Sequence, residues 1–169
     1  MVSLQDLNAV ADEEFVSLLG GIYEHSDWVP RKVLRSRPFS DFGHLRTMLK
    51  GAVDESTAEA KLALIRAHPD LAGKLARAGA LTLESTREQA GLGLDRLSNA
   101  EYQEFYDQNQ RYRDRFGFPF IICARLTTRQ GVLDAFDLRL SNSQIEEISA
   151  ALGQIHEIAR LRLEDLIQP

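Results

Sequence analysis

Apolar side chains recur every three or four positions through most of this 169-residue chain, a spacing typical of helices with one buried face. Near the start, Phe15, Leu18, Leu19 and Ile22 fall on one such stripe, and the pattern predicts a helix from about Asp12. The distribution of apolar positions therefore favours a helical protein.

Two further periodic stretches predict helices over 42–53 and 56–67. The second helix has to end by His68, because the ring of Pro69 restricts the preceding residue to extended backbone. The stretch 25–39 contains two prolines and little periodicity, which predicts a loop with a short helix.

Three later segments carry the S-x-x-E pattern of a capping box, in which a serine and a glutamate satisfy each other's free backbone N–H groups at a helix start. The pattern occurs at Ser85–Glu88, Ser98–Glu101 and Ser143–Glu146. The second box predicts a long helix to about Arg115, and the third predicts a helix from Gln144 to about Leu166.

One stretch departs from the helical pattern. The residues FGFPFIICARL, at 116–126, look extended, but Pro119 argues against a central strand and no partner strand is evident. The chain has no internal repeat and is of a length typical of one domain. The patterns predict a mostly α-helical fold in which residues 1–169 form a single domain.

Composition excludes several classes of function. The formal net charge of −5 lacks the basic footprint of a nucleic-acid-binding protein. No apolar stretch reaches the roughly 18 residues that a membrane span requires. The single cysteine, Cys123, rules out an internal disulfide or a thiolate metal site, and a reducing cytoplasm is the expected setting.

The sequence motifs of zinc proteases, phosphate-binding loops and serine hydrolases are absent. Among the other polar residues, His68 and Glu88 are candidates that local structure can also explain. Pro69 suits the first turn of a helix that is expected to follow at once, so helix punctuation and function explain His68 equally well. Glu88 needs no role beyond its predicted capping box. The apolar stretch 115–125 has to line the core, a ligand cleft or a subunit interface.

Several segments together resemble the signature blocks of a known enzyme family. LIRAHPDLAGK, LTLESTREQAGLGLDRLS and RFGFPFIICAR are similar, in this order and spacing, to those of 2-oxo-4-hydroxy-4-carboxy-5-ureidoimidazoline (OHCU) decarboxylases. HSDWV, SRPF and ARLRLEDL extend the resemblance over nearly the whole chain. That family performs the last step in the conversion of urate to (S)-allantoin.

The resemblance implies an all-α helical bundle that acts as a homodimer on OHCU, without a metal ion or an organic cofactor. It implies that His68 and Glu88 are catalytic. The residues that it implies for substrate binding are Pro69, Ser85, Gln89, Phe120, Ile121, Ile122 and Arg162. Arg162 matches the C-terminal arginine of the family site in preference to Arg160. The chain shows no peroxisomal signal of the S-K-L kind, which fits a bacterial cytoplasmic enzyme.

The chemistry of this substrate explains why no cofactor is implied. Its carboxylate sits on the hydroxyl-bearing ring carbon, next to a carbon doubly bonded to nitrogen, so the electrons released with CO2 can move onto the C=N group. The protein then has to orient the carboxylate out of the ring plane and deliver one proton to one face. A histidine suits such proton transfer, a carboxylate such as Glu88 can orient it or accept ureido N–H groups, and the arginine fork suits a carboxylate or carbonyl.

Two other classes of function stay open. In a helical binding or scaffolding domain, the HPD and S-x-x-E patterns would be helix caps only, and the protein would be inert towards ureidoimidazolines. A related hydrolase or isomerase of the urate pathway would need an activated water, and the sequence offers no metal-ligand set or obvious second base for one.

Overall fold

The computed structural model describes residues 1–168, apart from the side chains of Leu75, Arg77 and Gln168. Its contacts separate two compact units: a first unit of Met1–Ala67 with the chain from His156 onward, and a second unit of His68–Ile155. The expectation that residues 1–169 form one domain stays a prediction.

The first unit is helical and matches the predicted positions closely. Its helices are α1 Leu4–Ala9, α2 Asp12–Leu19, α3 Trp28–Val33, α4 Phe42–Asp54 and α5 Ala58–Ala67, with a 3-10 helix at Leu34–Ser36. The strand β1, Val2–Ser3, pairs in parallel with β2, Ile167–Gln168, near the end of the chain. As predicted, α2 begins at Asp12 and α5 ends directly before His68.

The second unit contains the remaining helices. They are α6 Lys74–Arg77, α7 Leu83–Gly91, α8 Asn99–Phe116, α9 Arg129–Arg139 and α10 Gln144–Leu166, with 3-10 helices at Leu94–Arg96 and Ala124–Leu126; α10 contributes to both units. The all-α prediction is confirmed, since the two-residue pairing of β1 with β2 is the only sheet in the described chain. None of the helices within residues 1–168 has both the length and the apolar character needed to cross a bilayer.

Two of the three predicted capping boxes are confirmed. Ser98 and Glu101 exchange both capping hydrogen bonds at the start of α8, and Ser143 and Glu146 do so before α10. The third prediction, a box at Ser85–Glu88, is wrong. Helix α7 begins three residues earlier than that box requires, because the hydroxyl of Thr82 accepts the hydrogen bond from the Ser85 backbone N–H.

Helix α9 was not among the predicted helices. Thr128 caps its start by accepting a hydrogen bond from the Gly131 N–H, and Val132 and Phe136, four residues apart, are both fully buried. The stretch from 117 to 123 forms neither helix nor strand, in agreement with the argument from Pro119. This irregular segment therefore lies between two regular helices of the second unit.

Aromatic rings dominate the core of the second unit. The ring of Tyr112 makes edge contacts with Phe118, Phe120 and Phe136, and Phe120 stacks on Phe136 with 3.9 Å between ring centroids. All four side chains are 1% exposed or less. The irregular segment therefore contributes to the core through Phe118 and Phe120.

Candidate active site

His68 lies at the break after α5 and is 6% exposed. The prediction that a helix follows Pro69 at once is wrong: the chain runs without helix to Gly73, and α6 starts only at Lys74. Pro69 therefore stands in a loop, where its ring restricts the backbone of His68 but begins no helix.

Side chains from two helices hold the loop that follows Pro69. The amide oxygen of Gln89 in α7 accepts a hydrogen bond from the Ala72 N–H at 2.9 Å, and its amide nitrogen donates to the Asp70 carbonyl at 3.3 Å. From α8, the Asn109 amide donates to the Leu71 carbonyl at 2.8 Å. These bonds connect three consecutive residues of the loop to two helices and so restrain the backbone next to His68.

The same loop bends sharply. Ala72 has a φ of +51°, in the left-handed region that L-residues rarely adopt. A Cβ atom at Gly73 would lie 2.8 Å from the Asp70 Cβ, so the bend requires glycine there. The Asp70 carboxylate also pairs with Arg113 of α8, with 2.8 Å between Arg113 Nε and Asp70 Oδ1. These contacts restrain the loop, and His68 stands at its start.

Helix α7 presents three predicted site residues on one face. Ser85, Glu88 and Gln89 are spaced three and four positions apart, so their side chains lie on the same side of the helix. Ser85 and Gln89 are buried and Glu88 is half-buried. Because Gln89 bonds to the loop after Pro69, this face is turned towards that loop. Glu88 lies inside the helix, so its position no longer has a capping explanation.

The predicted substrate loop, residues 120–122, belongs to the same unit. Phe120 and Ile121 are buried, whereas Ile122 is half-buried. The 3-10 helix that begins two residues after Ile122 packs against α7. The second unit thus holds eight of the predicted site residues: His68, Pro69, Ser85, Glu88, Gln89, Phe120, Ile121 and Ile122.

Arg162 lies in the first unit, where it is 6% exposed. Its Nη1 donates to the Glu24 carboxylate at 2.9 Å and to the Gly21 carbonyl at 3.0 Å. Glu24, 2% exposed, was missed by the sequence analysis. Arg160 differs in that it pairs with Glu157 and Glu164 along its own helix.

A second polar cluster of the first unit surrounds His156. Its Nδ1 lies 3.2 Å from the Tyr23 hydroxyl, and its Nε2 lies 3.0 Å from the Asp54 carboxylate. Tyr23 and His156 both line a cavity of about 70 Å³. Burial lowers the pKa of His156, although the Asp54 carboxylate opposes that shift, and burial raises the pKa of Tyr23.

Histidine, cysteine and acidic residues of residues 1–168 form no cluster of three that could hold a metal ion.

Comparisons with known proteins agree on one family. A family model described as OHCU decarboxylase matches residues 8–164. A Haloferax volcanii protein named 2-oxo-4-hydroxy-4-carboxy-5-ureidoimidazoline decarboxylase is 40% identical over 164 residues, which cover 97% of this chain and 95% of the relative. A crystal structure of (S)-allantoin synthase matches at 33% identity with a TM-score of 0.78, covering 98% of this chain and 54% of the synthase. A crystal structure of OHCU decarboxylase in the presence of (S)-allantoin matches with a TM-score of 0.67 over 93% of this chain and 98% of that one; at 24% identity it supports the fold alone.

Proposed function

This chain belongs to the OHCU decarboxylase family, and we propose that it converts OHCU to (S)-allantoin and CO2 in urate degradation. The observation that carries the proposal is local: a buried histidine stands at the start of a restrained loop, and the α7 face with Ser85 and Glu88 is turned towards that loop. Such a site can combine proton transfer with substrate binding.

We propose that His68 and Glu88 carry the chemistry. The bond between the ring carbon and the carboxylate breaks, and its electron pair forms a carbon–carbon double bond while the C=N nitrogen takes a proton. The resulting enol loses its hydroxyl proton and gains a proton on the neighbouring carbon, which becomes the stereocentre of allantoin. His68 transfers these protons, and Glu88 orients His68 or accepts the ureido N–H groups.

The remaining predicted residues bind and orient the substrate in this proposal. Arg162 recognises the carboxylate or a ring carbonyl, supported by its buried pair with Glu24, whereas Arg160 is engaged along the helix surface. Phe120, Ile121 and Ile122 supply an apolar wall. The Gln89 amide holds the loop after Pro69, and its direct contact with substrate stays a prediction.

The test separates this proposal from the two other classes of function. Freshly generated OHCU and its precursor hydroxyisourate are given separately to the protein, and CO2 release and the ultraviolet absorbance of each substrate are followed. The proposal requires accelerated loss of OHCU with one CO2 per molecule and no acceleration with hydroxyisourate. Hydroxyisourate turnover would identify a hydrolase, and inertness towards both would identify a binding domain.

We also propose a homodimer, as the family resemblance implies, and a cytoplasmic protein without nucleic-acid or membrane partners, as the composition indicates. These statements stay predictions. Sedimentation at twice the 19.0 kDa mass of one chain would support the dimer.

A further inference from the structure

A buried ion pair contacts the backbone of the predicted substrate loop. Arg139, near the end of α9, is 9% exposed, and Glu147, in α10, is completely buried. Arg139 Nε donates to the Glu147 carboxylate at 2.8 Å, and Arg139 Nη1 donates to the Ile121 carbonyl at 2.5 Å. One guanidinium group therefore joins the carboxylate of α10 to the middle of the loop.

Further contacts satisfy the Glu147 carboxylate and cover the guanidinium group of Arg139. The Glu147 carboxylate also accepts hydrogen bonds from the Tyr112 hydroxyl and, at 2.7 Å, from the Asn142 amide. The guanidinium carbon of Arg139 lies 4.4 Å from the centre of the Phe120 ring. A planar group with five donors can satisfy the carboxylate, the carbonyl and the ring at once, and an ammonium group cannot.

A second side chain holds the loop two residues further on. The amide oxygen of Gln154, in α10, accepts a hydrogen bond from the Cys123 N–H at 2.8 Å. The backbone is thus bonded to side chains at Ile121 and at Cys123, on either side of Ile122. Ile122 is half-buried, whereas both of these neighbours are buried.

Burial of an ion pair is a poor route to stability, because the loss of hydration offsets the attraction between the charges. Hydrophobic side chains of similar volume would fill the same space without that cost. A buried pair whose arginine also bonds a loop carbonyl and stacks on a loop ring has a geometric role that such side chains lack.

We propose that Arg139, oriented by Glu147, is a positioning residue that sets the conformation of residues 120–122 for substrate recognition, and that Gln154 supports it. The inference rests on the proposed function, because it assigns a binding role to that loop. Arg139 touches no reacting atom in this account and acts through Phe120 and Ile121.

The test compares Arg139→Lys with Tyr112→Phe. Lysine keeps the charge opposite Glu147 but cannot also hold the Ile121 carbonyl and cover Phe120. Tyr112→Phe removes one hydrogen bond from the same carboxylate and leaves every contact of Arg139 with the loop in place. The dissociation constant of (S)-allantoin, measured by calorimetry well below each melting temperature, is the first readout, and the KM and kcat for OHCU are the second.

For Arg139→Lys we expect the dissociation constant and KM to rise together by about tenfold or more, since a displaced loop loses contacts with the ligand and about 1.4 kcal/mol of lost binding free energy is a tenfold change. The shape of the pH–rate profile should stay unchanged, because His68 is untouched. Tyr112→Phe should bind (S)-allantoin as the wild type does, even if its melting temperature falls by as much as that of Arg139→Lys. Equal binding by the two variants would overturn the inference.

If Arg139→Lys does not fold, a second pair of variants tests whether side chains that hold the loop backbone set the affinity for (S)-allantoin. Gln154→Leu removes the acceptor for the Cys123 N–H and should weaken (S)-allantoin binding, whereas Gln154→Glu keeps an acceptor and should restore it. Wild-type affinity in Gln154→Leu would overturn the inference. Failure of the wild type to convert OHCU would instead contradict the proposed function, so the two failures are distinguishable.

Discussion

His68 is restrained from both sides along the chain. Helix α5 ends one residue before it, and the bonds from Gln89 and Asn109 hold the loop after Pro69. These restraints act on the backbone, so replacement of the imidazole should leave the fold in place. We expect His68→Asn to reduce turnover of OHCU by about a hundred- to ten-thousandfold, the usual contribution of a general acid or base.

The measurement is the initial rate alongside the melting temperature and helical circular dichroism. His44→Asn is the control, because His44 lies in α4, outside the predicted site, and accepts a hydrogen bond from the Ser40 backbone N–H. Turnover near the wild-type rate in a folded His68→Asn protein would reduce His68 to a structural residue.

Glu88 allows an equally direct test, because its place inside α7 removes the capping explanation. Glu88→Gln keeps the size and one acceptor oxygen but replaces the other oxygen by an N–H donor and removes the charge. We expect kcat/KM to fall by about two orders of magnitude, near 2.7 kcal/mol of transition-state stabilisation, with little change in stability. Glu101→Gln, in the capping box of α8, should affect stability only. Matching kinetics for the two variants would remove Glu88 from the site.

At this scale the family resemblance supplied the residues of the candidate site, which stay predictions, and the sequence did not indicate the partners of those residues. Arg162 was selected through family resemblance. Its partner Glu24 lies 138 positions away, and no local pattern connects the two. A buried arginine does require a partner, yet the chain contains 25 acidic residues that could serve. Only the tertiary structure identifies which one does.

At the scale of elements, the start of α7 shows how overlapping capping patterns compete. Thr82-x-x-Ser85 and Ser85-x-x-Glu88 both offer a hydroxyl at an N-cap, and the structure uses the first. We expect Thr82→Ala to lower the free energy of unfolding by about 1 kcal/mol and Thr82→Ser to lower it far less, because serine keeps the capping oxygen. Urea denaturation measures both, and equal losses would contradict Thr82 as the cap.

Helix positions were predictable where the apolar periodicity was clear, as for α2, α4 and α5, or where a capping box marked the start, as for α8 and α10. Helix α9 was missed although Thr128 precedes it, because its mixture of charged and apolar residues gives a weak stripe. The left-handed conformation of Ala72 could not be predicted either, since alanine does not favour it locally. Tertiary hydrogen bonds to Gln89 and Asn109 impose that bend on the loop.

At the scale of the whole molecule, stability should respond to pH through His156. Burial lowers the pKa of His156 below its ordinary value of 6.5, so the unfolded chain binds this proton more readily than the folded protein does. The contribution of His156 to the free energy of unfolding is therefore fully present above about pH 6.5, and it is lost as the pH falls through the lowered pKa of the folded protein. The wild-type melting temperature should therefore fall more steeply than that of His156→Gln below this pH, and parallel curves would contradict the assignment.

The central claim is that this chain decarboxylates OHCU with its own side chains and one stereochemical outcome. The most direct measurement mixes chelator-treated protein with freshly generated OHCU and follows the circular dichroism of allantoin in the presence of EDTA. We predict rapid growth of the (S)-allantoin signal at a rate that EDTA does not change. A rate no faster than the uncatalysed decay, or activity that chelation abolishes and a divalent ion restores, would contradict the account.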